Sequence, residues 1–287
     1  MAHSIPWDWR VSLYTWTKGI ASGVYLVAAL LVLLGFIKPE SPLWLWATPI
    51  VSGAFLGITG LLLLWDLEHP SRFYMIFTRP QWRSWLVKGA FIIAGYSLVL
   101  AAHFVGSIIG SSSIQSWLMI AGIPLALLSA VYTAYLFAQA KARDLWQNPL
   151  LPPHLLVQAL LLGSAVLLPL TLVSFDGSPA DIFNKAFPAA LWMLTGASLI
   201  HLLLILGELS LTHATAHARV AMWEMTRGRY RTPFWTGIAL AVAGGALPLA
   251  AFFGFLSIGM AGVLLAIAGV IFSEHAYVQA GQSVPLA

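Results

Sequence analysis

Eight stretches of predominantly apolar residues recur along this chain, at 15–37, 44–66, 85–109, 116–139, 154–175, 186–209, 234–256 and 258–279. A bilayer core needs about 20 such residues per helix. The pattern therefore predicts an all-α, polytopic membrane protein with eight transmembrane helices, arranged as two four-helix bundles in a single integral membrane domain over 1–287. Composition agrees: only 8% of the residues are charged, against about 25% in a soluble domain, so the outer surface must face lipid.

The last boundary rests on little. The apolar run from Phe234 to Tyr277 is too long for one span and is broken only by Gly254, Ser257 and Gly259. A tight turn between two helices is expected there, with a re-entrant pair as the alternative. Met1 to Tyr14 carry no basic segment, and no small-residue cleavage site follows the first apolar stretch, so no cleaved signal peptide is expected. Trp residues such as Trp9, Trp44, Trp65, Trp85 and Trp146 cluster at the predicted span ends, as aromatic belts do.

Lys and Arg set the expected orientation. Twelve of them (Arg10, Lys18, Arg72, Arg79, Arg83, Lys88, Lys141, Arg143, Arg219, Arg227, Arg229 and Arg231) fall on one face, and two (Lys38 and Lys185) on the other. The positive-inside rule then places both termini and the second, fourth and sixth loops in the cytoplasm, with the chain in the inner (cytoplasmic) membrane. A pI near 9.5 would suggest nucleic acid for a soluble protein; here the basic residues are topological, and no nucleic-acid partner is expected.

Ionisable groups in or beside a span are expensive and mark candidate sites. The second span ends in Trp65-Asp66-Leu67-Glu68-His69-Pro70-Ser71-Arg72-Phe73. Asp66 and His69, spaced i, i+3, are expected on one side of a helix that Pro70 stops. Carboxylates at a helix C-terminus oppose its dipole, so Asp66 and Glu68 need partners, for which Arg72, Arg79 and Arg83 are close in sequence. A structural ion-pair knot is the competing reading. The sixth span places His201 and Glu208 two turns apart on one stripe, roughly 10 Å along the axis, where they could relay protons with a water or a third group between them. A snorkelling Glu beside a hydrogen-bonded core His is the alternative. Tyr14, Lys18, Tyr132, Tyr135, Gln139, His154, Glu274 and His275 approach the same face at a common depth, as an interior polar pocket requires.

With no Cys, the chain can hold no thiolate-bound iron–sulfur cluster and no c-type haem. His103 and His201 differ in depth by roughly 15 Å, which prevents them from sharing a haem, and His69, His154 and His275 sit at the edge. His213 and His217 have i, i+4 spacing but no evident third ligand, so no metal site is expected.

Asp66-Leu-Glu-His-Pro-Ser-Arg-Phe73 with Thr78-Arg-Pro80 and Ser84-Trp85 resembles the signature loop of the NrfD/PsrC family, the membrane subunits of polysulfide-reductase-like complexes. Tyr14 to Gly23, Tyr132-Thr-Ala-Tyr135 followed by Lys141 to Trp146 and Pro149, and His201 to Glu208 fit in the same order. The resemblance implies a quinone-binding subunit (menaquinone or ubiquinone, held non-covalently) without haem or iron–sulfur cluster of its own. It implies as partners a ferredoxin-like iron–sulfur subunit and a catalytic subunit, often molybdopterin-containing, which holds the substrate-converting site. By the same analogy Asp66 and His69 are catalytic, quinone-site and proton-accepting residues, and Tyr132 is a hydrogen-bond donor to the quinone. Lys18 and His154 complete the polar part of the site, His201 and Glu208 form a proton path, and Arg72, Arg79 and Arg83 dock the partner. The family often docks that partner on the outer face, whereas the charge count here places this loop inside. Two other readings compete: a proton or solute transporter using His201 and Glu208, and a passive anchor for a soluble redox enzyme.

Overall fold

The Asp8 carboxylate accepts a hydrogen bond from the Arg10 backbone N–H at 2.8 Å, and this N-cap starts helix α1 at Trp9, well before the apolar stretch begins. Helix α1 runs Trp9–Leu33. Its first turns carry Ser12 and Tyr14, which are polar yet buried, because they face protein rather than lipid or water. The computed structural model describes residues 7–67, 69–173, 185–213 and 215–284. Glu68, the end of the fifth predicted span (174–175) and most of the outer stretch from Asp176 lie outside the described residues.

The other long helices are α2 (Thr48–Trp65, entered by a π turn at Leu43–Ala47), α3 (Trp85–Ile109), α4 (Ser112–Ala138), α5 (Leu151–Val173) and α6 (Ala186–Ser210). They are followed by α7 (Arg231–Ala246, continued by 3-10 turns over Leu247–Phe253) and α8 (Leu256–Ser283). Among the described residues these eight are long and apolar enough to cross a membrane, and no strand is present. Pro152 and Pro153 sit in the first turn of α5, where a missing N–H is harmless. Between α7 and α8 the chain turns at Gly254, with φ of 85°, a left-handed conformation that glycine adopts without strain. Ser257 and Gly259 lie inside the first turn of α8 rather than in that turn.

Helices α1–α4 pack as one ring and α5–α8 as a second, and the rings join where α1 meets α5 and α8 and where α4 meets α5. Helix α1 is the hub: 78% of its most apolar window is buried, against 28% for α7. The α1–α5 contact is close because both sides lack a side chain. A Cβ at Gly23 would run into the Ala159 carbonyl, and one at Gly163 into the Gly23 backbone, the small-residue contact by which membrane helices approach. Replacing Gly163 with Leu is expected to cost about 3 kcal/mol or more, since backbone cannot yield as a side chain would. Gly196→Leu, where an added Cβ meets nothing within 4 Å, should be neutral. Thermal unfolding in detergent checks this; equal midpoints for the two variants would show that the helices are not in contact.

Since the spans alternate in direction, α1, α3, α5 and α7 begin, and α2, α4, α6 and α8 end, at one face of the bundle. The α2–α3 loop, the Asp144–Gln147 turn and the short helix Ala216–Thr226 cover that face. Arg143 ties it together by donating to the carbonyls of Gln282 at 3.0 Å and Val284 at 2.7 Å, which satisfies orphan acceptors at the end of α8.

Candidate functional site

Two groups of polar residues meet at this face, one in each ring. The first surrounds a cavity of about 560 Å³ bounded by α1, α2, α4 and the α2–α3 loop. Its wall is mainly apolar, with Leu62, Leu63, Leu136 and Phe137, and its polar members are Arg10, Tyr14, Asp66, His69 and Arg72. Helix α2 ends at Trp65, and Asp66 caps it. His69 is already non-helical, with φ −131° and ψ 76°, as the residue before a proline tends to be. Asp66 and His69 therefore do not share a helical stripe, yet the loop returns both to the same cavity.

The partner of Asp66 comes from far away in sequence. Arg10 places Nε 3.8 Å from the Asp66 carboxylate and 2.8 Å from that of Asp8, and its Nη1 donates to the Trp65 carbonyl at 3.0 Å. One guanidinium thus offsets two carboxylates and the C-terminus of α2. Arg72 lines the cavity, whereas Arg79 and Arg83 lie exposed on the outer surface of the loop. Asp66 stands just past the end of its span, and burial raises its carboxyl above the ordinary carboxylate value, with Arg10 opposing the rise and Asp8 adding to it.

Behind the cavity wall a hydrogen-bonded row leads inward. Tyr14 Oη meets Tyr132 Oη and lies 3.0 Å from Thr133 Oγ1. Lys18 Nζ donates to Thr133 Oγ1 and to the Ala130 carbonyl at 3.2 Å, and it lies 4.5 Å from the centre of the Tyr132 ring. Lys18 is 1% exposed, so this cation is held wholly inside the protein, away from Asp66. Tyr132 fits because Gly89 faces it: a Cβ there would overlap the ring. Tyr135 and Gln139, on the same helix, do other work. Tyr135 stacks on Trp85 at 4.6 Å, and Gln139 accepts from Trp85 N at 2.7 Å and donates to the Arg83 carbonyl at 3.0 Å, pinning the start of α3.

The second group belongs to the other ring. His154 Nε2 and His201 Nδ1 are 2.8 Å apart, and the Glu208 carboxylate accepts from Asn148 Nδ2 at 2.8 Å. These residues, with Gln158, Glu274 and Tyr277, line a cavity of about 30 Å³, room for roughly one or two waters. His201 Nε2 and Gln158 Oε1 have no hydrogen-bond partner in the protein, although such buried atoms are normally satisfied. His154 thus sits with His201 rather than at the larger cavity. Glu274 accepts from Thr15 and interacts with Lys18 across the α1–α8 contact, and Phe137 lines both cavities. The two groups are therefore separated by a thin wall made of Tyr14, Tyr132, Thr133, Lys18 and Phe137.

Sequence reasoning assigned no role to Arg10, Thr133, Asn148 or Gln158 and left Glu274 among many polar residues. Only Glu274 carried a signal, being a carboxylate inside an apolar run. His103, near the far end of α3, packs 4.6 Å from the Trp44 ring and 6.1 Å from that of Tyr25. His213 and His217 do not share one helix, because the short helix starts at Ala216. No cluster of three or more potential metal ligands occurs among the described residues.

Comparison with known proteins agrees with this layout. Residues 1–284 match the family described as "Polysulphide reductase, NrfD". A dimethyl sulfoxide reductase membrane subunit of Halobacterium salinarum is 26% identical over 230 residues, covering 70% of this chain and 51% of that protein. Protein NrfD of Escherichia coli is 27% identical over 193 residues, covering 58% of this chain and 59% of that one. The chain thus spans between half and two thirds of the length of these relatives. With eight membrane-spanning helices, the signature loop on the wall of the larger cavity and a match over nearly its whole length, this multi-pass membrane protein belongs to the NrfD polysulphide reductase family.

Proposed function

We propose that this chain is the quinone-binding membrane subunit of a respiratory oxidoreductase, and that the quinone ring occupies the cavity at Asp66 and His69. One observation carries the reading: a cavity of about 560 Å³ whose apolar wall is interrupted only by Arg10, Tyr14, Asp66, His69 and Arg72. Its size lies within the usual range for small-molecule sites, about 300–1,000 Å³, and so does its chemistry of few polar groups on an apolar surface. Quinone oxygens need hydrogen-bond donors, and the Tyr14 hydroxyl, the His69 ring and the Arg10 and Arg72 guanidinium groups are the donors on this wall.

When bound, the quinol supplies two electrons and two protons. Asp66, held by Arg10, accepts a proton at the cavity wall, and His69 stands at the mouth, where a second can pass to water. Tyr14 orients the ring from the opposite side, fixed in turn by Tyr132 and Thr133. The apolar wall keeps bulk water from the ring. His201 and Glu208, with His154, form the proton path of the second ring, reached through Lys18 and Glu274. The partners in this reading are a ferredoxin-like iron–sulfur subunit docked at Arg72, Arg79 and Arg83, and a catalytic subunit of molybdopterin type that converts the substrate. The chain lies as one integral domain in the inner membrane, with both termini and the site on the cytoplasmic side.

The test is quinol oxidation by the intact complex, with iron and haem measured on the same sample. Iron without haem is expected, and His69→Ala should slow turnover about 100-fold, as loss of a positioned proton-transfer group does. Glu208→Gln should leave quinol oxidation standing while abolishing the accompanying pH change across the membrane. Full turnover in His69→Ala, or a chain that binds its partner but no quinone, would make it a passive anchor; an unchanged pH signal in Glu208→Gln would remove the proton path.

A further inference from the structure

The cavity at Asp66 does not end at its polar wall. A second, wholly apolar pocket of about 170 Å³ lies between α2 and α3. Five residues, Leu63, Leu67, Phe73, Ile76 and Leu86, line both spaces, so the two are continuous across one shared partition of side chains. Beyond that partition the walls are small: Gly60 on α2 faces Ala90 and Ala94, one helical turn apart on α3. The remaining wall is Phe77, which is 40% exposed, and the flanking Leu61 of α2 is 69% exposed. In a protein of this class such exposure of apolar side chains means contact with lipid. The pocket therefore leads from the polar cavity toward the lipid-facing surface between α2 and α3.

We infer that this pocket is the portal and binding groove for the isoprenoid tail of the quinone, and that Gly60, Ala90 and Ala94 keep it open. The inference rests on the quinone reading above and adds the route and the tail-binding residues. A quinone of the membrane pool needs a polar end for its ring and an uninterrupted apolar path for its chain, and here one is joined to the other. Small residues are what such a groove requires, because any larger side chain at these three positions would fill it. Gly60 offers a clean way to close it: a Cβ there meets no atom within 4 Å, so a longer side chain enters the groove without striking the protein.

The experiment uses the full chain in phosphatidylcholine nanodiscs, titrated with two naphthoquinones, one without a tail and one bearing four isoprene units. Binding is read from quenching of Trp fluorescence, since Trp7 lines the ring cavity. Gly60→Leu is expected to weaken binding of the tailed quinone about tenfold or more, on the scale by which a blocked apolar pocket discriminates. Binding of the tail-less quinone should stay within about twofold of wild type. Ala94→Leu should repeat the result from the facing helix, and Gly60→Ala should bind both quinones as wild type does; thermal unfolding of each variant verifies the fold. Unchanged binding of the tailed quinone in both Leu variants would overturn the portal, as would an equal loss for both quinones, which would assign the pocket to lipid or to packing. If neither quinone quenches the wild-type chain, the quinone site fails as well. Binding of the tail-less quinone alone would keep the site and reject the groove.

Discussion

Asp66→Asn is expected to lower quinol oxidation by the intact complex about 10²- to 10⁴-fold, the range for loss of a general base, without loss of assembly. Asn keeps the size and most of the polarity of Asp but cannot take a proton, and the Arg10 guanidinium retains Asp8 at 2.8 Å as its partner. The pH profile supplies the sharper reading. Burial raises the Asp66 carboxyl above its ordinary value. Its base form is therefore lost, as pH falls, at a higher pH than for a free carboxylate. Wild-type turnover should fall on the acid side along this limb, and the low residual turnover of Asp66→Asn should be flat there. An Asp66→Asn complex with wild-type turnover, or one that keeps the acid limb, would show that Asp66 is only the ion-pair partner of Arg10.

Lys18→Met is expected to have the largest effect on stability. Met preserves the apolar stem and removes the charge, leaving Glu274 without the cation that faces it from α1. Removing one member of a buried, interacting pair costs about 3–5 kcal/mol, because the other is left uncompensated. The double variant Lys18→Met with Glu274→Gln should recover most of that loss, since no charge then remains to be compensated. Turnover separates structure from proton transfer. If Lys18 links the Tyr14–Thr133 row to the second ring, the double variant regains its melting temperature but not its coupled pH change. Should Lys18→Met melt with wild type, the cation contributes nothing to the fold; should the double variant couple normally, the route does not pass through it.

The eight spans were legible because crossing a membrane is a local demand: about 20 apolar residues in a row suffice to state it. Their ends were less so, and α1 shows why. Arg10, Ser12 and Tyr14 read as polar residues outside a span, but Asp8 caps the helix and α2, α4 and α8 cover its first turns. The loop from Asp66 to Phe73 was legible from its residues and from the resemblance they carry. What Asp66 pairs with was not: nearby Arg72, Arg79 and Arg83 were expected, and Arg10 supplies the charge. Proximity in sequence is a poor guide where a bundle brings the start of one helix to the end of another.

His154 makes the same point within the site. By depth alone it stood beside His69 and His275, and the quinone cavity was a reasonable place for it. Its ring instead turns into the second bundle and meets His201, 47 positions away, at 2.8 Å. The sequence by itself determined that this is a helical membrane protein, that its polar and basic residues gather at one face, and to which family it belongs. These follow from hydrophobicity, charge and motif, each readable from residues near one another in the chain. Only the tertiary structure decided that those polar residues divide into two chambers, with Tyr14, Tyr132, Thr133 and Lys18 as the wall between them. That division depends on which face each helix turns toward its neighbours, and here the facing glycines of α1 and α5 and the space that Gly89 leaves for Tyr132 set it.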